Sequence, residues 1–110
     1  MKKYIAIVFI LSQAIAAIGQ KETRIIDSLK KELIGASDTS KTILLNHLAR
    51  EYRHTKPKYL LEYASQAKAL SEQLNYQRGL AYSYLNLAMY TSNVGDHKKA
   101  MDLDNQALII

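Results

Sequence analysis

The chain has 110 residues, room for one small domain, and no cysteine, which excludes disulfides, thiolate metal sites and a cysteine nucleophile. One proline and four glycines, set among many Ala, Leu, Lys and Gln, favour helix over sheet. The formal net charge of +5 falls to +3 without residues 1–19 (13 Lys+Arg against 10 Asp+Glu); this is far from the dense basic stripe that nucleic-acid binding needs, so no nucleic-acid partner is expected.

Residues 1–19 read as a signal peptide. Lys2 and Lys3 supply a positive start, and Tyr4 to Leu11 is an uncharged apolar run. Ala14-Ile15-Ala16 and Ala17-Ile18-Gly19 place small residues at the spacing a signal peptidase reads, and cleavage after Gly19 would leave Gln20 first. The run is broken by Ser12 and Gln13 and falls short of the roughly 20 apolar residues of a membrane span. The expected location is therefore outside the cytoplasm, periplasmic or extracytoplasmic, with an uncleaved anchor as the alternative.

Residues 20–37 form a leading helix and turn. Ile25, Ile26, Leu29 and Leu33 recur at helical spacing from Lys21 to Ile34, and Gly35 to Ser40 is a turn with several candidate capping residues. A second helix is expected over Thr39 to His54, with Ile43, Leu44, Leu48 and Tyr52 drawing a stripe along one side. Pro57 then sits where a third helix can begin, since its missing N–H costs nothing at the first helical position. That helix runs to about Leu74, and Asn75 and Gly79 mark the next boundary. A fourth helix spans Arg78 to Asn93. Gly95-Asp96 is a tight connection in which Gly takes the left-handed position and Asp96 caps a fifth helix from His97 to Ile110. Leu108, Ile109 and Ile110 are apolar and uncapped, which predicts that the chain continues or that another surface covers this end.

Two stretches repeat each other. Leu45, Leu48, Ala49 and Tyr52 recur as Tyr84, Leu87, Ala88 and Thr91 at an offset of 39; Leu60, Ala64, Ala67 and Leu70 recur as Ala100, Asp104, Ala107 and Ile110 at an offset of 40. A fixed period of this size is the signature of stacked repeats. Small residues at Ala88, Ala100 and Ala107 let paired helices approach closely, and Tyr84 and Leu87 fill the gap to the next pair. The tyrosines at 59, 63, 82, 84 and 90 read as packing between helices.

At Tyr84-Leu-Asn-Leu-Ala-Met-Tyr90, Gly95-Asp96, Ala100 and Ala107-Leu108 the chain resembles the tetratricopeptide repeat, and the earlier copy matches at Leu45, Leu48-Ala49, Tyr52, Ala64 and Ala67. There are departures. The aromatic expected at Thr91 stands at Tyr90, the one expected at Asp104 is absent, and Leu60 replaces a small residue. The resemblance implies an all-α, right-handed stack of antiparallel helix pairs, with a first repeat over 38–77 and a second over 78–110. The period near 40 resembles the extended subtype in exported sensor regions of bacterial signalling proteins, histidine kinases or transcriptional regulators. There the repeats precede a membrane helix, so a membrane link is expected only through a downstream segment.

The same resemblance implies a concave groove, lined by the first helix of each repeat, that binds protein or peptide segments. Carried over, the groove set is Asn46, His47, Arg50, Arg53 and His54 with Tyr82, Leu85, Asn86, Met89 and Asn93. Arg50 and Arg53 suit a bidentate carboxylate, Asn46 and Asn86 suit a peptide backbone, and Tyr82 and Met89 supply an apolar floor. Such a mildly basic groove favours acidic or C-terminal segments. Two repeats are marginal for stability, so self-association or further repeats are expected. No nucleophile elbow and no glycine-rich phosphate loop is present, so neither an enzyme nor a cofactor is expected. The alternatives are a spacer without a ligand, or a small exported metal binder or enzyme using His47, Glu51 and His54 on one helix face.

Overall fold

The computed structural model describes residues 23–109; the expected signal peptide and Ile110 lie outside the described residues. Five helices follow one another: α1 (residues 23–34), α2 (Asp38–Glu51), α3 (Pro57–Gln73), α4 (Gln77–Asn93) and α5 (His97–Ile109). No strand occurs among the described residues, and none of these helices is long and apolar enough to cross a membrane. Each of α3, α4 and α5 packs against the helix before it, and α4 also touches α2. The connections are three to five residues long, so each helix folds back along its predecessor.

Capping chemistry explains the turns. α3 and α4 end in the same way. Asn75 and Gly95 take positive φ values of 52° and 90°. Their N–H groups return to the carbonyls of Glu72 and Ser92, and the following N–H groups of Tyr76 and Asp96 reach Ser71 and Thr91, both at 2.9 Å. This is the paired closure that satisfies the last free carbonyls of a helix. Asp96 then accepts from the Lys99 N–H at 3.1 Å, capping α5 as its position predicts.

α2 stops earlier than expected, at Glu51. The N–H groups of Tyr52, Arg53, Thr55 and Lys56 all bond back to carbonyls between Leu48 and Tyr52, winding a tight turn. Pro57 causes this, because the residue before a proline is driven out of the α region; Lys56 has φ −138° and ψ 87°. His54 therefore lies in a turn, not on the helix.

The core gathers Leu29 of α1, Leu48, Ala49 and Tyr52 of α2's end, and Leu60 and Ala64 of α3, with Ile25, Ile26 and Leu33 packed against it. Burying each large aliphatic side chain contributes ~1.5–3 kcal/mol. Tyr52 is the aromatic centre: Tyr59 is tilted against it at 5.1 Å and Tyr63 stacks parallel at 5.8 Å. Of the expected apolar stripe of α2, Leu48 and Tyr52 are buried and Leu44 packs against the core, but one member departs. Ile43 is 55% exposed, while Leu45 is buried in its stead. Ala88 and Ala100 are buried, as the close approach of helices requires, and Ala107 is half-buried. Lys68 of α3 pairs with Glu72 at 2.6 Å and lies 5.8 Å from the ring of Tyr84, bridging towards α4.

Of Gly35, Gly79 and Gly95, only Gly79 lies in close approach to neighbouring atoms. A Cβ there would stand 2.5 Å from Thr42 Cγ2, 2.6 Å from Ser71 Oγ and 2.6 Å from Tyr76 Cδ1. Thr42 and Ser71 are themselves buried and have no room to yield. Gly79→Ala should therefore destabilise by about 1–3 kcal/mol through overpacking, although alanine is the better helix former by ~1 kcal/mol. Gly35→Ala, with open space around it, is the control. Thermal melts that rose for Gly79→Ala would show that α4 does not come this close.

Candidate functional site

The first turn of α4 presses into the angle between α2 and α3, and a polar network seals the contact. Asn46 Nδ2 donates to the Gly79 carbonyl at 3.1 Å, and Ser83 Oγ donates to the same carbonyl at 2.8 Å. Ser83 Oγ also lies 3.3 Å from Asn46 Oδ1. Asn86 Nδ2 donates to both Asn46 Oδ1 at 3.0 Å and the Asn46 carbonyl at 3.2 Å. Asn46 is 7% exposed and Asn86 5%. Amides buried to this depth must find partners, and here they find each other. Further along, Asn93 Nδ2 donates to the Arg53 carbonyl at 3.2 Å, tying the end of α4 to the turn after α2.

Above this network opens a cleft of about 710 Å³, within the roughly 300–1,000 Å³ range of ligand pockets. Of the groove residues expected from sequence, Asn46, His47, Arg50, Arg53, Tyr82, Leu85, Asn86 and Met89 all line it. His54 and Asn93 do not: His54 is carried away by the turn that follows α2, and Asn93 is engaged with Arg53. The roles also differ from expectation. The Nδ2 groups of Asn46 and Asn86 both donate across the α2–α4 contact.

Five lining residues escaped the sequence reading: Ile43, Tyr76, Arg78, Gly79 and Asp104. Gly79 carried a signal, since a glycine within a helix costs about 1 kcal/mol and marks a close approach. Arg78 reaches the rim through the face of Tyr82, 5.9 Å from the ring centre, a cation–π contact that restrains its guanidinium.

The cleft is thus basic and apolar. Arg50, Arg53 and Arg78 face a single acidic residue, Asp104, while Ile43, Tyr82, Leu85 and Met89 supply apolar surface. His47 Nε2 sits 3.4 Å from Glu51 Oε1, one turn along α2. With His54 off the helix, the three-residue face read from spacing is not assembled. No group of three or more His, Cys, Asp or Glu is placed to hold a metal ion among the described residues. Compared with known proteins, the chain matches no family model, no curated protein and no solved structure.

The network makes a stability prediction. Asn46→Leu and Asn86→Leu should each cost about 0.5–1.5 kcal/mol, because each removes hydrogen bonds from the buried network while leaving the partner one other contact. The double variant should cost less than the sum, since both partners then leave together. Urea unfolding of the four proteins measures the coupling; strict additivity would mean the two amides do not meet.

Proposed function

We propose that this chain is a helical-repeat interaction module that captures an extended, acidic protein or peptide segment in the cleft between α2 and α4. The observation that carries the reading is the convergence of Arg50, Arg53 and Arg78 with Tyr82, Leu85 and Met89 on one cavity. Guanidinium groups bind carboxylates bidentately, and an apolar floor of Leu and Met adapts to varied side chains.

On this reading the helix pairs form a right-handed tetratricopeptide-like stack, with α2–α3 and α4–α5 as its two repeats and α1 covering the leading end. The support is the repeat spacing, the shared helix-ending chemistry of α3 and α4, and the buried Ala88 and Ala100 at the close contacts. The charged, hydrophobic and small-residue order of residues 1–19 supports export, and the ~40-residue period supports a place in the extracytoplasmic sensory part of a bacterial signalling protein. A spacer without a ligand is the rival.

The rival is separated by titrating ¹⁵N-labelled protein with acetyl-Ala-Ala-Leu-Ala-Glu bearing a free C-terminal carboxylate. Amide shifts should concentrate at Arg50, Arg53, Leu85 and Met89. Arg50→Ala/Arg53→Ala should weaken binding about tenfold or more, the scale of lost charged hydrogen bonds. A spacer would show neither effect. Export is checked separately by mass spectrometry of secreted protein, which should begin at Gln20.

A further inference from the structure

Asp104 breaks the pattern of the repeat and of the cleft at once. Its counterpart 40 residues earlier is Ala64, a fully buried residue of the core. In α5 that position carries an exposed carboxylate, and it is the one acidic side chain among the cleft's lining residues. The other charged residues of α5 (His97, Lys98, Lys99 and Asp102) do not line the cleft.

The carboxylate has cations in view but none in reach. Among the described residues the ion pairs are His47–Glu51 and Lys68–Glu72, so no cation lies within 4 Å of Asp104. No Cα of α2 comes within 8 Å of a Cα of α5, while α4 packs against both helices. Arg50 at the end of α2 and Arg53 in the turn that follows it share one cleft with Asp104 of α5, and Leu85 and Met89 of α4, the helix packed against both α2 and α5, line it too.

We propose that the cleft selects an amphoteric peptide, one that sets a carboxylate on the Arg50–Arg53 wall and a lysine or arginine side chain on Asp104, with apolar residues between. A purely acidic segment satisfies only one wall and leaves Asp104 facing added negative charge. A segment that carries both an acid and a cation satisfies both. This rests on the reading of the cleft as a peptide site, and adds to it the charge pattern of the occupant.

The test uses the full chain and four blocked peptides: acetyl-KALAE-amide and acetyl-EALAK-amide, and their counterparts with lysine replaced by alanine, acetyl-AALAE-amide and acetyl-EALAA-amide. Both directions are included because the cleft's polarity towards a peptide follows from neither wall alone. At low salt, at least one lysine peptide should bind wild type about two- to fivefold more tightly than its alanine counterpart, the scale of an exposed ion pair. Asp104→Asn should erase that preference while leaving the alanine peptides bound as well or better. Asp104→Lys should invert it. Glu51→Gln, the carboxylate beside His47, should leave it intact. Equal affinity of lysine and alanine peptides for wild type overturns the proposal and spares the acidic-segment reading. A preference that survives Asp104→Asn overturns it too. Failure of all four peptides to bind overturns both.

Discussion

The close approach of α4 to α2 and α3 at Gly79 is the constraint on which the rest depends. With no side chain at that position, α4 comes near enough for Asn46 to reach the Gly79 carbonyl and for Asn86 to reach Asn46. The steric and polar parts require each other. Without the glycine, Thr42 and Ser71 would hold the helices apart, and the amides would be buried with partners out of range. Without the amides, a buried Gly79 carbonyl would rely on Ser83 alone. A buried polar cluster whose members satisfy one another selects one helix register over its neighbours, because sliding α4 by a turn would strand several groups together.

That register decides what the cleft presents. On the proposed reading, recognition is left to side chains rooted on this frame: Arg50 from α2, Arg53 from the turn after it, and Tyr82, Leu85 and Met89 from α4. Sequence reasoning assigned Asn46 and Asn86 to the ligand because asparagine can donate and accept at once. The same property makes asparagine suited to bridging two helices, and burial decides between the two uses. A solvent-facing amide can await a partner; one this deep cannot. The outcome is a rigid floor under a rim of long, adaptable side chains, an arrangement that lets binding proceed with little backbone reordering.

Much of the fold was legible because it is written in local chemistry. Pro57, Asn75 and Gly95-Asp96 announce helix boundaries by backbone preference alone, and the structure places turns at each. The errors arise where a distant contact overrides a local pattern. The apolar spacing of Ile43 suggested a core position, yet Leu45 lies buried while Ile43 faces the cleft; both fit a helical period, and only the placement of α4 distinguishes them. His54 fits the face of a longer α2, but the proline three residues on unwinds that end. Arg78 and Asp104 were missed because membership of the cleft depends on how α3, α4 and α5 cross, which no single helix encodes.

On the proposed reading, the lone acid in a basic cleft acts by what it rejects as well as by what it binds. A cleft with only Arg50, Arg53 and Arg78 on its rim would attract any polyanion, and its affinity would follow total charge and little else. Asp104 lowers that general attraction, since every additional acid on a ligand crossing the cleft meets it as a like charge. Specificity is a difference between affinities, and an element that penalises the wrong ligand contributes to it as directly as one that holds the right ligand. Its replacement of the buried alanine found in α3 costs the fold little, because at the α5 position the side chain reaches solvent. The same substitution in α3, under α2 and α4, would bury an unpaired carboxylate. Asp104 thus departs from the sequence repeat at a position where a charge reaches solvent, in the same cleft as Arg50, Arg53 and Arg78.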